Sequence, residues 1–224
     1  MKKTAKKSGK TNKEMYDKYF KNRLVIYNER NKVWKILTSF LQKEVPKNGV
    51  TLDIGAGYCN FINNIVSKEK HAVDTFKDIH KYVHKGIFVH KQSCVEMENL
   101  LSNHFDVVFA SNLFEHLTRE DLTKTLKHIL RILKKGGKLI IIQPNFKYAY
   151  KEYFDDYTHL SIYTDISLSD VLLNNGFSVS TCVPKFLPFS MRSKLRELYF
   201  LMKLYLYLPY KPFAKQMLII AKKE

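Results

Sequence analysis

The sequence predicts an α/β fold, a parallel sheet covered by helices on both faces. Three observations carry this. Short apolar runs of strand length alternate with segments of helical period between residues 50 and 142. The first run, Val50–Ile54, ends in Gly55-Ala56-Gly57, where a strand passes into a helix. Beyond residue 143 two late strands are separated by a long excursion, which fits an antiparallel pair at one edge of the sheet.

The elements follow in order. Residues 1–12 have almost nothing to bury and read as a mobile basic tail, leaving 13–224 as a single domain. Within it, 13–48 should be N-terminal helices, 49–143 the sheet core, and 144–224 loops and edge strands. Tyr16, Phe20, Leu24, Val33, Ile36, Leu37 and Phe40 give Lys13–Lys43 a helical period, which Pro46 and Gly49 stop. After the Val50–Ile54 strand come a helix at Phe61–Val66, a strand at His71–Asp74 and a short helix at Asp78–Val83. A strand at Ile87–His90, a helix at Val95–Leu101 and a strand at Phe105–Ala110 follow. The strongest helix is Arg119–Lys134, with Thr118 as its cap and Leu122, Leu126, Ile129, Leu130 and Leu133 as its stripe. Lys134 and Lys135 fall at its negative end, Gly136-Gly137 terminates it, and Lys138–Ile142 is the next strand. Ser167–Asn174 is a helix stopped by Gly176, and Phe177–Val183 and Gln216–Ala221 are the late strands.

Composition narrows the classes of function. Of 224 residues, 45% are hydrophobic and 26% charged, enough for a core and too ordered for a disordered chain. No apolar run is long enough to span a bilayer, and the lysine-rich start is unlike a secretory signal. Cys59, Cys94 and Cys182 lack disulfide or metal spacing, so a reducing, cytoplasmic setting is expected. The net charge is +17, and residues 1–21 contribute eight lysines against Glu14 and Asp17. Lysine far outnumbers arginine, which fits diffuse attraction to anionic company better than base readout.

Glycines at the Gly55-Ala56-Gly57 turn let the backbone bend sharply and let a ligand approach. A dinucleotide fingerprint would place a third glycine where Asn60 stands, and no lysine occupies a P-loop position. Asp74 ends the second strand 19 residues after Gly55, the interval at which a carboxylate meets ribose hydroxyls, and Phe76 follows as an apolar cover for a base.

These residues, with Phe105-Asp-Val-Val-Phe109, Leu113-Phe-Glu-His-Leu117 and Leu130-Arg-Ile-Leu-Lys-Lys-Gly-Gly-Lys-Leu139, resemble class I S-adenosylmethionine (SAM) methyltransferases over residues 50–183. The resemblance implies a Rossmann-like seven-stranded sheet, mostly parallel with an antiparallel last strand. It implies SAM as cofactor, with Asp53 organising the loop, Gly55, Ala56 and Gly57 under the methionine part, and Asp74, Thr75 and Phe76 at the adenosine. Ser93 and Cys94 stand where the family often has Asp-Ala near the adenine, and Asn112 lies on the cofactor side after the fourth strand.

The acceptor side is read after that strand. Asp/Asn-Pro-Pro-Tyr/Phe and Pro-Cys signatures of nucleic-acid methyltransferases are absent. Glu115-His116 resembles the pair of small-molecule O-methyltransferases. Some relatives bind a metal through Glu-x-x-Glu-His, but Asn112 replaces the first Glu, so no metal is expected. The first candidate base is His159, in Phe154-Asp-Asp-Tyr-Thr-His159, because an unperturbed imidazole suits proton removal from a hydroxyl, and His116 is the second choice. His80, His84 and His90 have no carboxylate or cysteine at ligand spacing and read as a solvated basic face. Two aromatic clusters within 198–208, among basic residues, could lie at a membrane face, line a lid or pack in the core. The expected function is SAM-dependent methylation, as O-methylation of a sugar or glycan-linked small molecule, at the inner membrane face or free in the cytoplasm. The alternatives are an RNA methyltransferase, with nucleic acid the less favoured partner, and a non-catalytic SAM-binding or scaffold protein.

Overall fold

A computed structural model describes residues 28–188 and 199–224. Helix α1 (Asn28–Leu41) leads to β1 (Val50–Ile54), α2 (Asn60–Asn64), β2 (Glu69–Val73), β3 (Phe88–His90) and β4 (Phe105–Ser111). Then come α3 (Arg119–Ile132), β5 (Leu133–Pro144), α4 (Phe146–Ala149), α5 (Asp165–Asn174), β6 (Phe177–Pro188), α6 (Tyr199–Tyr207) and β7 (Ala214–Lys223). The seven strands form one sheet of order β3-β2-β1-β4-β5-β7-β6. Strands β1 to β5 pair in parallel, and β7 runs antiparallel to both β5 and β6.

Alternation along the central strands builds two cores, because successive side chains point to opposite faces. Val108 and Ala110 of β4 and Leu139 and Ile141 of β5 pack with Leu122, Leu126 and Ile129 of α3 and Leu168 and Leu172 of α5. Val107, Phe109, Ile140 and Ile142 face the other way, against Trp34, Leu37 and Leu41 of α1 and Phe61 and Ile62 of α2. Phe109 is the keystone there, stacked on Phe61 at 3.7 Å between centroids and met edge-on by Trp34. No helix of the described residues is long and apolar enough to cross a membrane.

Several boundaries differ from the expectation. The helix expected at Val95–Leu101 is irregular turn. The guanidinium of Arg131 donates to the carbonyls of Met97 and Leu100, at 2.6 and 2.7 Å, and a partner outside the segment there replaces a helical ladder. Helix α3 stops at Ile132, not Lys134, because the amides of Asn103 and His104 cap its last carbonyls at Arg131 and Ile132. Leu133 then already pairs with Phe105. Lys134 leaves the helix end and pairs with Asp106 at 2.8 Å. Gly137 belongs to the bulged start of β5, where a Cβ would lie 2.8 Å from the Lys134 carbonyl oxygen. Helix α2 is shorter than expected, Asp78–Val83 reduces to a 3-10 turn at Ile79–Lys81, and β6 and β7 run longer. Helix α5 starts earlier, at Asp165, under a capping box in which Thr164 and Ser167 exchange hydrogen bonds. The expected tail and the start of the first helix, through residue 27, lie outside the described residues, as does Leu198.

Candidate active site at the carboxyl ends of the strands

Parallel strands present their carboxyl ends together, and ligands of open α/β sheets bind in the crevice there. At the end of β1 the amides of Gly55 and Ala56 both donate to the Val73 carbonyl of β2, so the turn is locked to the neighbouring strand. Gly55 has φ +66° and Gly57 φ +52°, a region L side chains rarely adopt. A Cβ on Gly55 would also lie 2.9 Å from a methyl of Leu113, which places the segment after β4 directly against the turn.

Asp74 closes this arrangement. Only 6% exposed, its carboxylate accepts from the amides of Gly57 at 2.7 Å and Phe76 at 2.8 Å. Burial pushes its pKa up, against those backbone bonds and one from Thr75, itself half-buried. Each carboxylate oxygen keeps a further acceptor position, so sugar hydroxyls can be met without breaking the loop. Asp53 is buried beneath, raised well above its ordinary pKa by burial and then by Asp74, while the backbone at Ile62 opposes the shift. The Asp53 side chain thereby ties β1 to α2. The residues present fit a nucleoside bound across the two strand ends.

The remaining expected contacts are placed as follows. Ala56 is half-buried in the turn. Phe76 is buried, with Tyr82 stacked on it at 5.8 Å and Tyr58 edge-on at 5.7 Å, so it belongs to an aromatic trio rather than standing alone over a base. Ser93 accepts from the Val95 amide, and Cys94 is buried, with the Thr125 hydroxyl 3.6 Å from its sulfur. Burial raises the Cys94 thiol to about 11, so it is un-ionised at neutral pH. Asn112 is exposed at the end of β4 with φ +49° and donates its backbone amide to Ile142.

The structure brings together the three residues expected at the acceptor. Glu115 and His116 sit in a 3-10 turn after β4, and the amides of Leu160 and Ser161, just after His159, both donate to the Glu115 carbonyl. The two imidazoles lie 4.9 Å apart by ring centroid, and Tyr153 packs 4.4 Å from His159. One ligand atom from each of Glu115, His116 and His159 lies within 4.8 Å of the others. Glu115 is 0% exposed with no hydrogen-bond partner for either carboxyl oxygen among the described residues, and burial raises its pKa to about 8. His116 is pushed down to about 4 by burial and then by the neighbouring His159.

The tautomer of His116 follows from its partners. Nδ1 lies 3.1 Å from the Thr158 carbonyl and 3.0 Å from the Thr158 hydroxyl, which itself donates to Asp156 at 2.6 Å. Both oxygens act as acceptors toward the ring, so Nδ1 carries the hydrogen and Nε2 the lone pair. Thr158 and Asp156 are therefore part of the site through His116, a role visible only once the loop after β5 is folded back. Gln143, at the carboxyl end of β5, and Tyr163 also have buried polar side-chain atoms without a hydrogen-bond partner among the described residues. Gln143 had a signal in the sequence: an amide ending an Ile-Ile-Ile run, where a buried strand meets the ligand edge.

Sheet order, the reversed seventh strand and the crevice at its carboxyl edge define the class: this is a class I SAM-dependent methyltransferase. The chain belongs to the family described as methyltransferase domain, which matches residues 27–181. Among curated proteins it is similar to the phosphoethanolamine N-methyltransferase of Plasmodium falciparum, 26% identical over 141 residues, 55% of this chain and 53% of that protein. The chain thus matches about half the length of that relative. Among solved structures, a SAM-dependent methyltransferase from Archaeoglobus fulgidus has TM-score 0.62 at 22% identity, covering 85% of this chain and 94% of that one. A geranyl diphosphate methyltransferase in complex with SAM has TM-score 0.62 at 13% identity, covering 85% of each chain.

Proposed function

We propose that this methyltransferase methylates a hydroxyl of a sugar or glycan-linked small molecule, with His116 as the base. SAM supplies an activated sulfonium methyl. Asp74, Thr75 and the Gly55–Gly57 turn hold its nucleoside and methionine parts in this reading, over Asp53, with Phe76, Ser93, Cys94 and Asn112 around the rim. A sulfonium donor leaves the protein mainly the tasks of placing the acceptor and excluding water. A base is needed where the acceptor has a proton to lose and is otherwise a weak nucleophile, as a hydroxyl is.

The observation that carries the reading is the fixed tautomer of His116. Its low pKa keeps the imidazole neutral at pH 7, and its Nδ1–H is anchored on Thr158 and through it on Asp156. Nε2 is then the basic atom of the ring, the one that would take a hydroxyl proton. Glu115, with a pKa of about 8, is protonated at pH 7 and can donate a hydrogen bond to the acceptor oxygen. His159 packs against His116 and shapes the same pocket, and is the second candidate base.

An amine acceptor is the second reading, favoured by the likeness to a phosphoethanolamine N-methyltransferase. In that reading the amine would attack as its neutral form, and the site would need only to place it. The two readings separate in a radiolabelled methyl-donor assay against sugar nucleotides, lipid-linked oligosaccharides, phosphoethanolamine and total RNA. Labelling of a sugar acceptor that collapses in His116→Gln supports the proposal, and labelling of phosphoethanolamine alone replaces it. We further propose that the chain lies at the cytoplasmic membrane face, because Tyr207, Tyr210 and Phe213 are exposed in a stretch of sequence that also carries Lys203 and Lys211. Liposome pelleting that survives Tyr210→Ser and Phe213→Ser together would remove that part.

A further inference from the structure

We propose that Glu69, His71 and His104 form a site for one divalent transition-metal ion of the zinc type, fastening β2 to the segment that enters β4. Glu69 and His71 are two residues apart on β2 and project from the same face. His104 immediately precedes β4, which is parallel to the others, so the group lies toward the amino edge of the sheet, while Asp74 marks the carboxyl edge. Glu69 Oε1 is 2.7 Å from His71 Nε2 and 3.0 Å from His104 Nε2. One ligand atom from each residue lies within 4.8 Å of the other two.

Two imidazole nitrogens and a carboxylate oxygen are a donor set that zinc accepts, with water in the fourth position. Imidazole donors also select against magnesium and calcium, which prefer all-oxygen shells. With metal–ligand bonds near 2.1 Å, tetrahedral donors stand about 3.4 Å apart, so the two Glu69 contacts need to open by only about half an ångström.

The surroundings already hold the ligands. His71 Nδ1 is 2.9 Å from His90 Nε2, which as an acceptor would fix the tautomer of a metal-bound His71 in the way a carboxylate or carbonyl does elsewhere. Phe88 stacks on His71, and Phe105 meets both His71 and His104 edge-on. The side chains of Glu69 and His104 are 35% and 28% exposed, which leaves an entry from solvent, while His71 is 10% exposed. Proton accounting closes. Without metal each Nε2–H points at Glu69. The His90 Nε2–H meanwhile donates to the His71 Nδ1 lone pair. On binding, each ligand Nε2 gives its lone pair to the ion and its hydrogen passes through solvent to Nδ1, while His90 makes the matching shift, its hydrogen moving to its own Nδ1 so that its Nε2 accepts from His71 Nδ1–H.

The test is calorimetric titration of zinc into the untagged full chain after EDTA treatment and its removal, with the visible spectrum of the cobalt-loaded protein as a second readout. Wild type should bind one zinc at this site. Glu69→Gln and His104→Gln, chosen because both side chains are partly exposed, should each weaken it by more than about 100-fold, and His90→Ala by about 10- to 100-fold. His116→Gln, in the other histidine cluster, should leave this binding intact. Circular dichroism establishes that each variant is folded before titration. The proposal is overturned if folded wild type takes up no zinc, if Glu69→Gln and His104→Gln bind as wild type does, or if binding is lost only in His116→Gln. The first of these results would leave Glu69 as a hydrogen-bonded brace between two histidines.

Discussion

Replacing Glu115 with glutamine isolates the consequence of burying a carboxyl group without partners. Glu115 titrates near 4.5 in an unfolded chain and near 8 in the folded one. Between these values the unfolded chain has released a proton that the folded chain still holds, so folding stability falls as pH rises. At about 1.4 kcal/mol per pH unit, this single group removes roughly 4 kcal/mol between pH 5 and pH 9. Glutamine has the same shape and no titration, so Glu115→Gln escapes the fall. His116 acts with the opposite sign: lowered from 6.5 to about 4, it costs stability as pH drops through that window. That contribution is shared by both proteins and cancels in their difference. Urea unfolding at half-unit pH steps, followed by fluorescence with EDTA present, gives the difference profile. The wild type should lose about 4 kcal/mol relative to Glu115→Gln across the range, most of it between pH 5 and 8. Parallel profiles would refute the reasoning, since they would mean that Glu115 reaches water or a cation.

Asp74→Ala should abolish the rise in melting temperature that SAM gives the wild type, whereas Asp74→Asn, which keeps an acceptor toward the Gly57 amide, should retain the fold and still bind weakly; a thermal shift unchanged in Asp74→Ala would remove the ribose role. Gly55→Ala should cost about 1–3 kcal/mol in urea unfolding, from positive φ and collision with Leu113, and Leu113→Ala should recover only the steric part. His116→Gln should lower kcat by about 10²- to 10⁴-fold with SAM affinity intact, as measured by calorimetry and initial rates. Arg131→Ala should destabilise by about 2–3 kcal/mol, because it strips one charged donor from the carbonyls of both Met97 and Leu100.

What the sequence makes legible is what a single strand or helix decides for itself. Phe105–Ala110 and Lys138–Ile142 are mainly apolar on both faces, Val50–Ile54 is apolar on the face of Val50, Leu52 and Ile54, and all three are flanked by turns, so their burial in a parallel sheet follows directly. Thr118 caps α3 by its own local hydrogen bond from the Asp121 amide. The misjudged elements are those whose hydrogen bonds come from elsewhere. Val95–Leu101 has helical spacing, but the Arg131 side chain, more than 30 residues away, binds the Met97 carbonyl that a helix would offer to Leu101, together with the Leu100 carbonyl beside it. Likewise Gly136-Gly137 has the form of a helix stop, yet the stop is made upstream by the amides of Asn103 and His104. The candidate site divides along the same line. The glycine turn and Asp74 are 17 residues apart at their hydrogen bond and share a motif. Glu69 and His104 are separated by 35, and no local pattern announces their meeting.

The acceptor side shows how two segments with no shared period become one chemical unit. Glu115 and His116 follow β4, and Asp156, Thr158 and His159 follow β5, which are adjacent parallel strands. The Glu115 carbonyl takes two amides from the second segment, and the His116 ring takes its orientation from the Thr158 carbonyl and hydroxyl. A strand pair fixes where each segment starts, and these cross-links fix how they face each other. The consequence is that Thr158→Val acts on the base without touching it. It removes the hydroxyl that relays Asp156 to His116 and leaves the carbonyl as the one remaining Thr158 acceptor for the ring. We expect kcat to fall while SAM affinity is unchanged, with Thr158→Ser restoring the rate because serine keeps the relay. A rate retained in the valine variant and lost in the serine variant would mean that the methyl group packs the loop and that the hydroxyl orients nothing.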